Sequence, residues 1–190
     1  MYYVGLDLGQ KRDHTAVVVV ERIDHRRAFM GSAFEMLVVR YVERMPLGMS
    51  YPAMVERVRT IMRCDELREK RRALAVDATG VGAPVVDMLR AARLGCDLSA
   101  VTITAAVKRD LMDGVAVLLE TGKLKIGKLK EQGRLVKELV DMRVSMSGSG
   151  GVRMGAEGYG EHDDLVIALS LACWQAKGRQ QIGERSQRLF

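Results

Sequence analysis

The chain has 190 residues, of which 30 are Lys or Arg, 24 are Asp or Glu and 3 are Cys, giving a formal net charge of +6 at pH 7. This length suits one domain with a sizeable core. The sequence has no paired cysteine spacings, no signal sequence and no apolar run of membrane-spanning length. These features argue against a disulfide-rich, secreted or membrane-embedded protein. We therefore expect a cytoplasmic protein with reduced thiols and, because scattered Cys accompany only 3 His, no zinc cluster. A basic chain is compatible with a polyanionic partner but does not require one.

The first third of the chain is rich in β-branched and alternating apolar residues. This pattern predicts strands at 2–8 and 14–22 joined by a hairpin, and a third strand at 33–43. The third strand is expected to place four apolar residues on one face: Phe34, Met36, Val38 and Val42. A helix with an apolar stripe and a charged tail is predicted at 52–70.

Helices and short apolar strands alternate in the rest of the chain. The predicted elements are a strand at 73–77, a helix from Pro84 to before Gly95, a strand at 100–104, helices near 108–121 and 129–142, a loop or hairpin tip at Ser147–Gly151, and a helix at 163–177. We expect one domain over residues 1–178, followed by a polar basic tail over 179–190.

This order predicts an α/β fold with a mixed sheet, in which an antiparallel meander of three strands is followed by parallel strands and the sheet is flanked by helices. The first strand should lie centrally, with the strand at 73–77 beside it. Connections that diverge from neighbouring strand ends open the usual ligand crevice of such a sheet.

Four carboxylates stand at the ends of predicted elements. Asp7 closes the first strand, Asp77 closes the strand at 73–77, and Asp163 and Asp164 open the last helix. If these ends meet, the carboxylates repel one another unless cations lie between them. Two Mg²⁺ or Mn²⁺ ions would satisfy this need and suit phosphodiester hydrolysis, one activating a water and the other stabilising the leaving 3′ oxygen.

Each acid also has a simpler interpretation when taken alone. Asp7 could form a turn, Asp77 could cap a strand end, and Asp163 could be the N-cap of the last helix. His162 is interpreted as a local cap rather than as a metal ligand. Asp13 is interpreted as a residue that stabilises the first hairpin. The metal interpretation rests on the acids as a set.

The acids belong to a series of short motifs that, in this order, resembles the nuclease domain of phage large terminase subunits. The motifs are Gly5–Gly9, Asp13–Ala16, Val76–Gly82, Gly122–Ile126, Glu138-Leu139, and His162–Leu165 with Ala168-Leu169. No single motif is specific, but together they extend from residue 4 to about residue 175.

The resemblance implies an RNase H-like fold and a metal-dependent endonuclease that cuts concatemeric viral DNA during genome packaging. It implies that Asp7, Asp77, Asp163 and Asp164 hold two divalent cations, Mg²⁺ or Mn²⁺, and carry the catalysis. The implied partners are double-stranded DNA, the terminase ATPase motor, the portal and the small terminase subunit, in the cytoplasm of a bacterial host and without a membrane.

Two features depart from the family pattern. Many relatives carry a further acid where this chain has Ile167, so the last motif rests on Asp163 and Asp164, of which Asp164 is favoured as the principal ligand. The chain also has no Gly-x-x-x-x-Gly-Lys-Ser/Thr phosphate loop. We therefore expect an excised nuclease domain or a stand-alone relative.

Basic residues outside the acid set are candidates for DNA contact. They are Lys108, Lys123, Lys125, Lys128 and Arg153, and for the lysines between 123 and 130 a merely solvated surface is nearly as good an interpretation. Because phosphate contacts carry no sequence information, we expect weak sequence preference.

Other functions remain open from sequence alone. A Holliday-junction resolvase of the same superfamily would use the same acids on branched DNA. An actin-like phosphate-binding domain would use the turns after Asp7 and Asp77, but it needs two lobes and has no place for the last acidic helix. A non-catalytic DNA-binding relative would not need the intact acids.

Overall fold

A mixed sheet lies at the centre of the computed structural model, which describes residues 1–9, 13–26, 33–80, 82–146, 152–156 and 163–178. The strands are β1 (Tyr2–Asp7), β2 (Ala16–Arg26), β3 (Ala33–Arg44), β4 (Arg72–Asp77), β5 (Asp97–Val101), β6 (Leu124–Ile126), β7 (Met142–Met146) and β8 (Val152–Ala156). The helices are α1 (Tyr51–Met62), α2 (Asp65–Arg68), α3 (Gly82–Ala91), α4 (Ala105–Glu120), α5 (Gln132–Asp141) and α6 (Asp164–Lys177).

The strand order confirms the predicted topology. Within the described residues the main sheet runs β5-β4-β1-β2-β3-β6, and β7 and β8 form a separate antiparallel pair. β1 pairs antiparallel with β2 and parallel with β4, so the first strand is central and β4 lies beside it. Residues 147–151, the predicted loop or hairpin tip, lie outside the described residues between β7 and β8, and the predicted tail at 179–190 lies outside them too.

In the described part of the chain, helices cover both faces of the sheet, and a hydrophobic core lies on each face. One core joins the sheet to α4, α5 and α6, with Leu111, Leu135 and Leu169 buried in it. The other joins the opposite face to α1 and α3, with Val58 and Leu89 buried. Burial on both faces explains why β1 and β4 are continuous apolar runs rather than alternating ones.

α6 packs directly onto the central strand because β1 has no side chain at the crossing. A Cβ atom on Gly5 would lie 1.8 Å from the carbonyl oxygen of Ala168. Ala168 and Ala172, which are also small, are fully buried at this crossing. The close approach brings the first turn of α6 to the end of β1 that carries Asp7.

The predicted third strand forms, but its buried face is different. Val42 is buried as predicted, but Leu37 and Val39 are buried in place of the predicted Met36 and Val38, and the side chain of Phe34 lies outside the described residues. The pairing with β2 shifts between Val19 and Val20, as expected for a β-bulge near Arg40. An extra residue reverses the alternation, which is why the residues on the two sides of the bulge do not follow one period-2 pattern.

Three other boundaries differ from the predictions. The helix expected at 52–70 is divided into α1 and α2, and Asp65 and Glu66 form the acidic first turn of the second helix rather than a charged tail. β5 ends at Val101, because Thr104 accepts a hydrogen bond from the Val107 amide at 3.3 Å and caps α4. The segment predicted as a connection between helices at 122–127 contains β6, paired parallel with β3.

Candidate metal-binding acid cluster

The first two acids stand side by side at one edge of the sheet. β1 and β4 are parallel with Leu6 opposite Val76, so Asp7 and Asp77 follow at the carboxyl ends of adjacent strands. Neighbouring strands lie about 4.8 Å apart. The structure therefore brings together two of the carboxylates that the sequence separates by about seventy positions.

The Asp77 carboxylate is held by a local turn. Its Oδ1 atom accepts a hydrogen bond from the Thr79 amide at 2.7 Å, and the Thr79 hydroxyl oxygen accepts one from the Ile103 amide at 2.7 Å. These bonds connect the ends of β4 and β5 through side chains, in addition to the Ala78 amide that donates to the Val101 carbonyl at 2.8 Å. The turn fixes the direction in which β4 ends.

Asp7 shows most clearly that the acids converge. Burial raises the pKa of its carboxyl group well above the ordinary value, and the negative charges of Asp77, Asp164 and Asp163 raise that pKa further. Lys108 acts in the opposite direction as the nearby positive charge. The four predicted acids are thus electrostatic neighbours around the end of β1.

Asp163 occupies the N-cap position of α6 but does not cap the helix. Its side chain makes no capping hydrogen bond. Its Oδ2 atom instead accepts a hydrogen bond from the Lys108 ammonium group at 2.5 Å, with both side chains 27% exposed. The interpretation of Asp163 as a simple helix cap is therefore wrong, and Lys108, predicted as a DNA contact, lies against the acid cluster.

Asp164 is the most buried of the four acids, with its side chain 7% exposed. It is the first residue of α6, where the helix dipole favours a negative charge. The Arg44 Nε atom lies 3.7 Å from its Oδ2 atom. Arg44 ends β3, so a third strand end contributes to the same region.

Glu138 was not predicted as a site residue, although its motif contributed to the resemblance. This buried residue of α5 forms an ion pair with Arg44, and its Oε2 atom accepts a hydrogen bond from the Leu165 amide at 3.0 Å. Burial raises the pKa of Glu138 to about 7, whereas Arg44 and the Leu165 amide lower it. No periodicity or spacing connects Glu138 to Arg44, so only the structure reveals the pair.

The four acids suit hard divalent cations because they are negatively charged and because they offer oxygen ligands. All four acids offer carboxylate oxygens, which Mg²⁺ and Mn²⁺ prefer, and the pKa of Asp7 is raised first by burial and then by the negative charges of the three other acids. Within the described ranges, no three His, Cys, Asp or Glu side chains are grouped closely enough to hold an ion as they stand. The acids converge electrostatically, while Asp163 is held by Lys108.

The remaining predicted DNA contacts belong to β6, to its flanks and to β8 rather than to the elements that carry the acids. Lys125 is aligned through β3 and β2 with Tyr2, at the end of β1 opposite Asp7. Lys123 and Lys128 flank β6 and are exposed. Arg153 is placed by its backbone in β8, paired with Ser145.

The sequence also offers His162 and Asp13 as minor site candidates and predicts no membrane span. His162 lies outside the described residues. Asp13 lies close to Gly9, since a Cβ atom on Gly9 would lie 2.2 Å from the Asp13 carbonyl oxygen. In the part of the chain that is described, no helix is both long and apolar enough to cross a bilayer.

Comparison with known proteins places this geometry in a family. The model of the terminase RNase H-like domain matches residues 4–175. The large terminase nuclease of thermophilic phage G20c with bound magnesium is 24% identical, with a TM-score of 0.71 over 92% of this chain and 81% of that chain. The nuclease domain of the bacteriophage SPP1 large terminase with bound Mn is 14% identical, with a TM-score of 0.58 over 93% of this chain and 86% of that chain. No curated protein sequence matches the chain significantly. The match of the family model over nearly the whole chain shows that the protein belongs to the terminase RNase H-like domain family.

Proposed function

We propose that the protein is a divalent-metal-dependent DNA endonuclease, acting as the nuclease domain of a large terminase that cuts concatemeric viral DNA during packaging. The observation that carries this proposal is the convergence of Asp7, Asp77, Asp163 and Asp164 from two strand ends and one helix start. Relatives with the same fold have been solved with magnesium, cobalt and manganese bound.

In this proposal the four acids hold the cations and Asp164 is the principal ligand from α6. When bound, two Mg²⁺ or Mn²⁺ ions would supply an activated water and offset charge on the scissile phosphate. The Thr79 amide orients the Asp77 carboxylate, and Asp164 lies in the first turn of α6, where the helix dipole favours a negative charge. Lys108 forms an ion pair with Asp163 and would offer a positive charge near the phosphate.

The substrate in this proposal is double-stranded DNA, bound mainly through its backbone. Exposed lysines at 123, 125 and 128, with Arg153 of β8, would contact phosphates and give weak sequence preference. The ATPase motor, the portal and the small terminase subunit are the proposed partners, and the bacterial cytoplasm is the proposed location.

Cleavage of supercoiled plasmid tests this function. Wild type, Asp77→Asn and Asp97→Asn are incubated with Mn²⁺, Mg²⁺, Ca²⁺ or EDTA. Asp97 is a matched control, because it is an exposed acid at the opposite end of the parallel strands. We expect nicking and linearisation by wild type and Asp97→Asn with Mn²⁺ or Mg²⁺, and none by Asp77→Asn or in EDTA.

Two results would contradict the proposal. Equal cleavage by Asp77→Asn would remove that acid from the reaction and indicate a contaminating nuclease. Selective cleavage of a four-way junction, with linear and supercoiled duplexes left intact, would favour a resolvase instead.

A further inference from the structure

The start of α6 needs a hydrogen-bond acceptor that its own N-cap residue does not provide. The first amides of a helix have no partner within the helix, and Asp at the N-cap position normally accepts one of them. Here Asp163 has φ −110° and ψ 16°, and its carboxylate is engaged by Lys108 rather than by the helix. The Asp163 carboxylate, which would normally cap α6, is therefore bound to Lys108 within the acid cluster instead.

Glu138 supplies the missing acceptor from another helix. Its Oε2 atom accepts the hydrogen bond of the Leu165 amide, which is the second amide of α6, at 3.0 Å. The Glu138 side chain is 10% exposed, so this bond is shielded from water. A cap that comes from α5 leaves both acids at the start of α6 available for other contacts.

Arg44 connects this cap to the neighbouring acid. Its Nη2 atom pairs with Glu138, and its Nε atom lies 3.7 Å from Asp164, with the Arg44 side chain 14% exposed. Replacing such a largely buried charged trio by apolar residues of similar volume is often neutral or stabilising. Stability alone therefore does not account for the trio, and an orienting role does.

We propose that Glu138 and Arg44 are positioning residues that fix the first turn of α6 and the Asp164 carboxylate, so that Asp163 and Asp164 both remain available to divalent cations. This inference rests on the proposed function, because it concerns the same cations. Outer partners of ligating carboxylates have this role in metal sites, and their loss weakens metal affinity by about 10–100-fold.

The test measures metal binding and helix capping separately. Wild type, Glu138→Ala, Glu138→Gln and Arg44→Met are compared, with Glu131→Ala as control because Glu131 forms an exposed pair with Arg134 just before α5. Mn²⁺ affinity is measured by titration calorimetry at a temperature where circular dichroism shows every variant folded. Exchange of the Leu165 amide is measured in metal-free protein.

For Glu138→Ala we expect faster exchange of the Leu165 amide and a 10–100-fold weaker Mn²⁺ affinity. Glu138→Gln keeps a carbonyl acceptor, so the amide should stay protected while Mn²⁺ affinity still falls, because Arg44 loses its counter-charge. Arg44→Met should also weaken Mn²⁺ binding without exposing the Leu165 amide. Glu131→Ala should change neither quantity.

A purely structural role gives a different result. If Glu138→Ala melts earlier but keeps wild-type Mn²⁺ affinity and wild-type exchange at Leu165, the inference is wrong. If wild type itself binds no Mn²⁺, the proposed function fails, whereas amide exchange still decides whether Glu138 caps α6.

Discussion

The acid cluster has two halves that differ in how their charge is offset. The helix half consists of Asp163 and Asp164, and each has a positively charged side chain nearby. Lys108 lies 2.5 Å from Asp163, and Arg44 lies 3.7 Å from Asp164. In the strand half, burial and the negative charges of three other acids raise the pKa of Asp7 well above the ordinary value. The neighbouring Asp77 is held by a neutral amide.

This difference identifies where added positive charge acts most strongly. A divalent cation placed near the strand half would relieve repulsion that no described side chain fully offsets. On the helix half, the same cation would compete with Lys108 for Asp163. We therefore expect substitutions in the two halves to change the stability of the metal-free protein in opposite directions.

The largest expected effect comes from Asp7→Asn. Because Asp7 is a proposed metal ligand, its loss should reduce plasmid cleavage by more than about 100-fold, which is the upper end for outer partners of a metal site. The metal-free variant should nevertheless be more stable and melt at a higher temperature than wild type, because it lacks a carboxyl group whose charged form is disfavoured by burial and by the neighbouring acids.

Cleavage assays and thermal melts in EDTA measure the two quantities, with Asp97→Asn as the control. A lower Tm for Asp7→Asn than for wild type would show that the Asp7 carboxylate is not under electrostatic stress. The opposite signs of the two effects distinguish a functional acid from one that supports the fold.

The second prediction concerns added metal. Mn²⁺ at about 100 times its Kd should stabilise wild type by about 2.7 kcal/mol and raise Tm by about 5–10 °C. Asp77→Asn should lose most of this shift in Tm, because one of the two carboxylates at the ends of β1 and β4 is removed. Thermal melts with Mn²⁺ or with Na⁺ at equal ionic strength measure it, and an equal shift in Asp77→Asn would place the ion elsewhere.

The third prediction is a pH dependence of the metal-free protein. Asp7 and Glu138 both have pKa values raised by burial, that of Glu138 to about 7 from an ordinary 4.5. A carboxyl group that holds its proton more tightly in the folded state contributes stability that is complete below its unfolded pKa and is lost as pH rises through the folded pKa. Glu138 should therefore cause a loss of stability as pH rises between about 4.5 and 7, and Asp7 should cause a further loss as pH rises above its ordinary pKa of 3.8.

Urea unfolding in EDTA across this range checks the pH dependence. Asp7→Asn and Glu138→Gln should each flatten the profile, and Asp97→Asn should leave it unchanged. A wild-type profile that rises with pH and is insensitive to both substitutions would contradict the assigned causes.

The fourth prediction tests the helix half. Lys108→Met should destabilise the metal-free protein by about 0.5–1 kcal/mol, since the pair is only partly exposed, in contrast to the gain expected for Asp7→Asn. Lys137→Met is the control, because Lys137 pairs with Asp141 at 3.7 Å on the surface of α5. Adding Mn²⁺ should reduce the difference between Lys108→Met and wild type, whereas a difference that persists would indicate a packing role for Lys108.

The strand half was accessible from the sequence and much of the helix half was not. Asp7 and Asp77 each end a continuous apolar run, and the parallel pairing of two such runs places their ends together. The position of α6 also followed from its long apolar stretch. Arg44 and Glu138, however, are 94 residues apart and carry no local pattern, so their contact depends on packing of α5 against the sheet.

The predicted boundaries of helices and strands differ from the structure where two local sequence signals favour different structures. Thr104 suits a strand by its branching, but its hydroxyl oxygen caps α4 and ends the strand earlier. The bulge near Arg40 reversed the buried face of β3, which alternation alone does not reveal. β6 has only three residues, too few for periodicity to distinguish it from a loop.

The smallest expected effect comes from lysines far from the acids. Lys123 and Lys125 stand at the end of the sheet opposite Asp7, so they could contact only phosphates distant from the scissile bond. The double substitution Lys123→Gln with Lys125→Gln should reduce the salt dependence of duplex binding by about 0.9 per lost phosphate contact. The cleavage rate at saturating DNA should not change, because neither residue lies near the reacting atoms.

Lys70→Gln with Arg71→Gln, an equal loss of charge before β4, is the control. An unchanged salt slope would show that the lysines around β6 form a solvated surface, and a lower saturated rate would place the duplex across β6.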